Sequence, residues 1–388
     1  MKILLLSPQP FFQERGTCIA IDLLLSSLSE RGDEVDVLTY HLGEDRDYSG
    51  GTITRIKPPF APTAIKHGFS LRKVYCDLFL LCGAFRMVRK KRYELIHAVE
   101  ESSFIAMILN RFFHIPYVVD MDSSLSDQIL LNFAWTRPVG RILRWIETLP
   151  LRRAVAVVPM CEELAIFARQ HTFGFVYILK DVSLVAVSEG VPEDLRHYLG
   201  IKGPILMYVG NMAPYQGIDL LFEAFAELRR SHPQVELVLI GGTESHIRKY
   251  QIKARSLGIH GQTHLLGPRP MAALGGYLRQ AALLISPRIS GTNTPMKLYS
   301  YLDTGIAVVA TALPTHTQVV SGDEAELVPP EPSAMATAIA DLLNDVTKCR
   351  TLARNAQGLV RREHSLATFR KNVERIFGEL ENRLDVID

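Results

Sequence analysis

The chain has 388 residues, 47% hydrophobic and 22% charged, which excludes intrinsic disorder and leaves enough apolar material for two domains. Its 43 Lys and Arg against 41 Asp and Glu leave a net charge of +2, so whole-chain electrostatics give no support to a nucleic-acid partner. Five scattered cysteines, none in a CxxC pair, argue against a zinc or disulfide framework and for a reducing, cytoplasmic setting.

Short apolar runs alternate with segments of helical period, the pattern of parallel strands joined by crossover helices. In the first half, strands are predicted at 2–7, 34–39, 95–99, 117–121 and 154–159, with a helix over 17–32 stopped by Gly32. Pro8 and Pro10 interrupt what would be the apolar core of a signal peptide. No apolar run reaches the ~18 residues of a membrane span; the nearest, Val74 to Phe85, contains Asp77. The second half repeats the theme: strands at 205–210, 235–241, 264–267, 282–287 and 307–311, and helices at 218–231, near 245–257 and from Pro295. Turn formers Gly190, Pro192, Gly200 and Gly203 mark 181–204 as the linker, and two amphipathic helices are expected after 323–330, the last over 367–383. The expectation is an α/β chain of two doubly wound Rossmann-like domains facing an interdomain cleft, with residues 1–185 in the first, 186–366 in the second, and a C-terminal helix, 367–388, packing back on the first.

Chemistry-bearing residues gather at predicted strand ends. After the strand at 282–287 comes a polar loop, then Thr294 and Pro295 as an N-cap and first-turn pair, so the amides of Asn293 to Lys297 would face an anion, with Lys297 and Arg288 adding charge. A capped helix with solvated basic residues is the plain structural alternative. Gly210, Gly241 and Gly242 end neighbouring strands where a ligand can approach the backbone. In the first half, Glu100 and Glu101 follow one strand as candidate contacts to a sugar hydroxyl. Asp122 follows another, either to orient or deprotonate a hydroxyl or to cap the next helix.

The segments "VGNMAPYQG" and "SPRISGTNTPMKLYSYLDTGIAVVAT" resemble those of the retaining, nucleotide-sugar-dependent group 1 glycosyltransferases. The resemblance implies the GT-B fold, a donor domain in the second half and an acceptor domain in the first. It further implies metal-independent transfer with a nucleotide-sugar co-substrate and no bound cofactor. Gly16 resembles the family's N-terminal glycine loop, and Asp122 takes the strand-end place where the family commonly carries a His. Asn211 and Gln216 stand where the family's turn has Arg and Lys for the diphosphate, and Thr292 and Ser300 where it has two glutamates. The chain therefore resembles a divergent subgroup with an altered donor-site motif. Asp120 and Asp122 have the Asp-x-Asp spacing of metal-binding GT-A glycosyltransferases, and strand alternation would point both side chains the same way, but that single-domain fold leaves the second domain unexplained, so the metal-independent reading leads and metal binding stays as its alternative.

Lys66, Arg72, Lys73, Arg86, Arg89, Lys90, Lys91 and Arg92 bracket the apolar run "VYCDLFLLCGAF". With Arg137, Arg141, Arg144, Arg152, Arg153, Trp135 and Trp145 they mark a candidate surface for an anionic membrane at the inner face of the cell. A core helix capped by solvated basic residues has the same pattern. The expected function is sugar transfer from a nucleotide diphosphate donor to a hydroxyl of a glycan or lipid-linked acceptor in surface polysaccharide or glycolipid synthesis. The rivals are a catalytically silent nucleotide-sugar-binding or scaffold protein and a nucleotide-sugar epimerase.

Overall fold

The computed structural model describes residues 1–14, 16–65, 70–132, 134–185 and 190–384, except for the side chains of 131, 132, 134, 135 and 137. Lys66 and the side chains of Trp135 and Arg137 lie outside the described residues. The chain divides into two units, Met1–Lys180 with Phe369–Asp388, and Asp181–Thr368. The divisions fall at 180/181 and 368/369, where the sequence had suggested 185/186 and 366/367.

The first unit runs β1 (Lys2–Ser7), α1 (Gly16–Arg31), β2 (Glu34–Thr39), β3 (Ile53–Arg55), α2 (Leu71–Lys90), β4 (Leu95–Val99), α3 (Ser102–Phe113), β5 (Tyr117–Met121), α4 (Leu125–Asn132), α5 (Gly140–Leu151), β6 (Ala156–Pro159), α6 (Glu162–His171) and β7 (Phe175–Val176). Its strands form one parallel sheet, ordered β3-β2-β1-β4-β5-β6-β7. Ile3 to Leu6 are fully buried, as a parallel strand covered by helices on both faces requires.

The second unit runs α7 (Leu195–Leu199), β8 (Ile205–Val209), α8 (Ile218–Leu228), β9 (Glu236–Ile240), α9 (Glu244–Ser256), β10 (Thr263–Leu265), α10 (Leu274–Leu278), β11 (Leu283–Ser286), α11 (Met296–Asp303), β12 (Val308–Thr311), α12 (Pro314–Thr317), β13 (Glu326–Val328), α13 (Pro332–Asn344) and α14 (Val346–Glu363). Its parallel sheet is ordered β10-β9-β8-β11-β12-β13. Leu206, Phe222, Phe225 and Leu237 belong to a core on one side of it, and Met207, Leu284, Leu298 and Val308 to a second core.

Several elements differ from the sequence expectation. β3, β7 and β13 are edge strands of two or three residues, too short for periodicity to show. Three helices follow β13 where two were expected, because only Asp345 separates α13 from α14. The 181–204 stretch contains α7, capped by the Asp194 carboxylate on the Arg196 and His197 amides.

The last helix, α15 (Leu366–Leu384), belongs from Phe369 onward to the first unit. Ile376 and Phe377 are fully buried there, with the Phe377 ring 5.9 Å from that of His97 on β4. Arg31 reaches Glu381 at 2.9 Å, and the Tyr177 hydroxyl donates to Glu379 at 2.9 Å. A Phe377→Ala variant should lose about 3–5 kcal/mol of first-unit stability, read by urea denaturation, because the cavity left against the sheet cannot collapse fully.

Candidate functional site

Open α/β sheets bind ligands outside the carboxyl ends of the strands where strand order reverses. In the second unit that point lies between β8 and β11. β8 runs into Gly210, at φ +147°, whose amide donates to Ile240 at 2.9 Å. A Cβ on Gly241 would sit 2.3 Å from the Gly210 carbonyl oxygen, and one on Gly217 1.8 Å from that of Pro287. Gly242 lies against the movable end of the Met212 side chain, and its φ of +76° is what favours glycine there. Close packing and backbone conformation in these turns thus account for Gly217, Gly241 and Gly242 without a ligand.

Lys297 extends from the first turn of α11 into this crevice. Its ammonium donates to Gln216 Oε1 at 2.7 Å, lies 3.9 Å from the centre of the Tyr208 ring, and would be 3.5 Å from a Cβ on Gly210. Burial, and then the nearby positive charge of Arg288, hold this amine well below the ordinary lysine range. Among the described residues no carboxylate offsets that effect, so the site favours an anion that would restore the ammonium. Tyr301, also on α11, accepts from the Val209 amide at 2.6 Å and fixes the helix against the end of β8. Neither Tyr208 nor Tyr301 was singled out in the sequence, since both read there as core aromatics.

Arg288 is buried and turned into its own loop. Its guanidinium donates to Ser290 O at 2.9 Å, Asn293 O at 2.9 Å and Asn293 Oδ1 at 2.8 Å. Gly291, at φ +122°, makes room, since a Cβ there would meet Nη2 at 2.4 Å. Arg288 thus shapes the loop while Lys297 supplies the charge nearest β8. The cap differs from the sequence expectation: Pro295 is the capping residue, without a side-chain cap bond, and buried Thr294 Oγ1 has no hydrogen-bond partner among the described residues. Thr292 accepts from Gln318 Nε2 at 3.1 Å. Asn211 closes its own turn, Oδ1 accepting from the Ala213 amide at 3.2 Å. Ser300 is committed elsewhere: it is buried and accepts from the Leu184 amide at 3.1 Å, fastening the segment that enters the second unit.

In the first unit the order reverses between β1 and β4. Gly16 opens α1 with nothing within 4 Å of where its Cβ would be, so local packing does not demand glycine there. Glu100, at φ +48°, accepts from Ser123 Oγ at 2.8 Å. Glu101 is ion-paired with Lys73, and Tyr40 donates to Asp77 beside them. Lys73 is therefore no part of a solvated basic face, and Lys91 is likewise paired, at 2.6 Å each to Glu34 and Asp36. Glu100, Glu101, Asp120 and Ser123 line a cavity of about 30 Å³, room for one water. Asp122 follows β5 on a half-buried loop, while Asp120 is bonded to His97 at 3.0 Å inside the sheet, which divides the Asp-x-Asp pair. No group of three or more His, Cys, Asp or Glu able to hold a metal ion occurs among the described residues. Glu147, unremarked in the sequence, accepts from the Leu125 amide at 2.7 Å and from Ser124 Oγ at 3.0 Å, holding the start of α4 just after Asp122.

Burial lifts Asp77 to about 6 and Glu101 to about 7, in Glu101 reinforced by Glu100 and Asp77 and opposed by Lys73. The folded protein thus holds these protons where the unfolded chain has released them, and their stabilisation, full at low pH, disappears as pH rises through 6 to 7. Urea unfolding at about pH 5 and about pH 7.5 should show a smaller loss of stability in Asp77→Asn than in the parent protein.

Residues 203–345 match the family model for glycosyl transferases group 1, and residues 16–174 that for the glycosyl transferase 4-like domain. D-inositol 3-phosphate glycosyltransferase of Corynebacterium jeikeium is 30% identical over 168 residues, 41% of this chain and 40% of that protein. The chain thus spans about two fifths of the length of the curated relatives it matches. Among solved structures, sucrose-phosphate synthase from Thermosynechococcus elongatus superposes with a TM-score of 0.84 at 19% identity, covering 98% of this chain and 99% of that one. Anabaena Alr3699/HepE in complex with UDP gives 0.76 at 17%, covering 98% and 100%. Two parallel-sheet Rossmann-like units of GT-B type, each matched by its own family model, make this chain a member of the group 1 glycosyltransferases.

Proposed function

We propose that the protein is a retaining, metal-independent glycosyltransferase that moves a hexose-type unit from a nucleotide diphosphate donor to a hydroxyl of a glycan or lipid-linked acceptor. The observation that carries the donor half is the half-buried Lys297 ammonium at the β8–β11 crevice, beside Gly210 and Gln216. A pyrophosphate there would meet that cation and the first turn of α11. In the reaction the bond from the anomeric carbon to the diphosphate oxygen breaks, the acceptor oxygen bonds to that carbon on the same face, and the hydroxyl proton passes to the departing diphosphate. Stabilising the charge that develops on the leaving group is the catalytic demand, and a preorganised cation in a partly dehydrated crevice suits it. On the first unit, Glu100 and Asp122 are the carboxylates proposed to receive acceptor hydroxyls, with Glu147 keeping the Asp122 loop in shape. That HepE has been crystallised with UDP supports a nucleoside diphosphate as the first ligand to try.

The acceptor is proposed to lie at an anionic membrane, from the cytoplasmic side. Among the described residues no helix is long and apolar enough to cross a bilayer. α5 instead presents Ile142, Trp145 and Ile146 to solvent, with Val139 just before it, and exposed Arg141, Arg144, Arg152 and Arg153 lie on and beside it. Apolar side chains with flanking arginines suit partial insertion among acidic headgroups.

Lys297→Gln should weaken UDP binding, measured by calorimetry, by about tenfold or more. Donor-dependent transfer should fall with it, while unchanged affinity would remove the diphosphate site. Separately, the Ile142→Ser/Trp145→Ser double variant should lose most of its sedimentation with phosphatidylglycerol vesicles, and the parent protein should release from them as salt rises; equal sedimentation of both proteins would exclude this helix.

A further inference from the structure

The functional reading gives α12 no role, yet one of its side chains lies beneath the loop that shapes the crevice. His316 is fully buried. Its Nδ1 is 2.8 Å from the Thr311 carbonyl oxygen, and since a carbonyl only accepts, the ring proton sits on Nδ1. That leaves Nε2 to accept from the Ser286 hydroxyl, also at 2.8 Å. Ser286 ends β11 and Thr311 ends β12, so one imidazole ties together the carboxyl ends of two paired strands. Thr311 Oγ1, 3.2 Å from Nδ1, donates onward to the Arg288 carbonyl. Two residues past His316, Gln318 donates to the Thr292 carbonyl. A single short segment therefore grips the β11–α11 loop at two carbonyls, and the Arg288 guanidinium carries the restraint on to Asn293, two residues before the α11 cap.

We infer that His316 is a positioning residue for the anion-binding crevice, acting through Ser286 and Thr311 to hold the 288–295 loop, and with it the first turn of α11, where Lys297 meets its ligand. The inference rests on the diphosphate reading of that crevice. Burial, aided by the positive charges of Lys297 and Arg288, pushes the imidazole down to about 4, so the strut is uncharged at neutral pH and does not compete with Lys297 for the anion. A hydrogen-bonded support beneath the residues that touch a ligand is what keeps such residues at productive geometry.

The test uses three full-length variants. His316→Phe fills the space without hydrogen bonds, His316→Asn keeps an amide N–H for Thr311, and Leu342→Ala, in the second-unit core on α13, serves as a destabilised control. Hydrogen exchange of peptides spanning 288–298 and UDP affinity are measured well below each melting temperature. Both should change by about tenfold in His316→Phe, recover most of the way in His316→Asn, and stay near the parent values in Leu342→Ala. Parent-like exchange and UDP affinity in His316→Phe, or an equal loss in Leu342→Ala, would overturn the inference. If instead His316→Phe loosens the loop while Lys297→Gln binds UDP unchanged, the strut stands and the diphosphate reading falls.

Discussion

Keeping one lysine ammonium at the mouth of the second sheet is the constraint around which that unit is arranged. An amine at that depth without a carboxylate loses hydration it cannot recover within the chain. Its compensation is a neutral amide oxygen from Gln216 and the face of Tyr208, both attractive to a cation and neither able to neutralise it. A carboxylate at position 216 would form a closed ion pair, and an anionic ligand would then have to break it. A glutamine leaves the charge available.

The surrounding features follow from that requirement. β8 must end abruptly so that the ammonium can lie against backbone, and Gly210, Gly217 and Gly241 permit the tight turns there. Tyr301 then fixes α11 to the same strand end, so the helix that carries Lys297 cannot drift. Arg288, the other cation expected at the site, is buried with its fork bonded inside its own loop. A buried arginine and a half-buried lysine side by side repel each other where solvent screens them poorly. Assigning one to shape and the other to charge limits that repulsion; Lys297 is held below the ordinary lysine range first by burial, with Arg288 adding to it.

The same division explains what the sequence could disclose. The buried strands β1, β2, β4 and β5 were legible to the residue, because a parallel strand covered on both faces is a short, mainly apolar run, here interrupted only by single polar residues such as Asp36, His97 and Asp120. The loop at 288–295 was legible as a place, through its Gly, Pro and Lys. Its internal bonding was not: nothing in "SPRISGTNTP" says that Arg288 folds back on Asn293 or that Pro295 replaces Thr294 as the cap. Ser300 was misplaced for a related reason, since motif counting gives the position of a residue along α11 but not its partner at Leu184. Tyr208, Glu147 and His316 gave no signal at all. A tyrosine in an apolar strand, a glutamate in an amphipathic helix and a histidine near a strand end each have a commoner structural explanation, and only tertiary contact separates them from it.

The two sheets, built on the same topological rule, present opposite chemistry at their reversal points. The second offers a cation, helix-end amides and neutral hydrogen-bonding groups. The first offers Glu100, Glu101 and Asp120 around a small cavity, with Lys73 already bound to Glu101. Carboxylates held in that way repel phosphate and accept hydroxyl protons, and Glu101 is raised first by burial, with Glu100 and Asp77 adding to it against Lys73. An anionic leaving group and a polyhydroxyl acceptor are the pair of ligands whose charges match this division. On the proposed reading, a doubled fold would give donor and acceptor separate mouths of opposite character, where a single mouth would have to serve both chemistries with one set of charges.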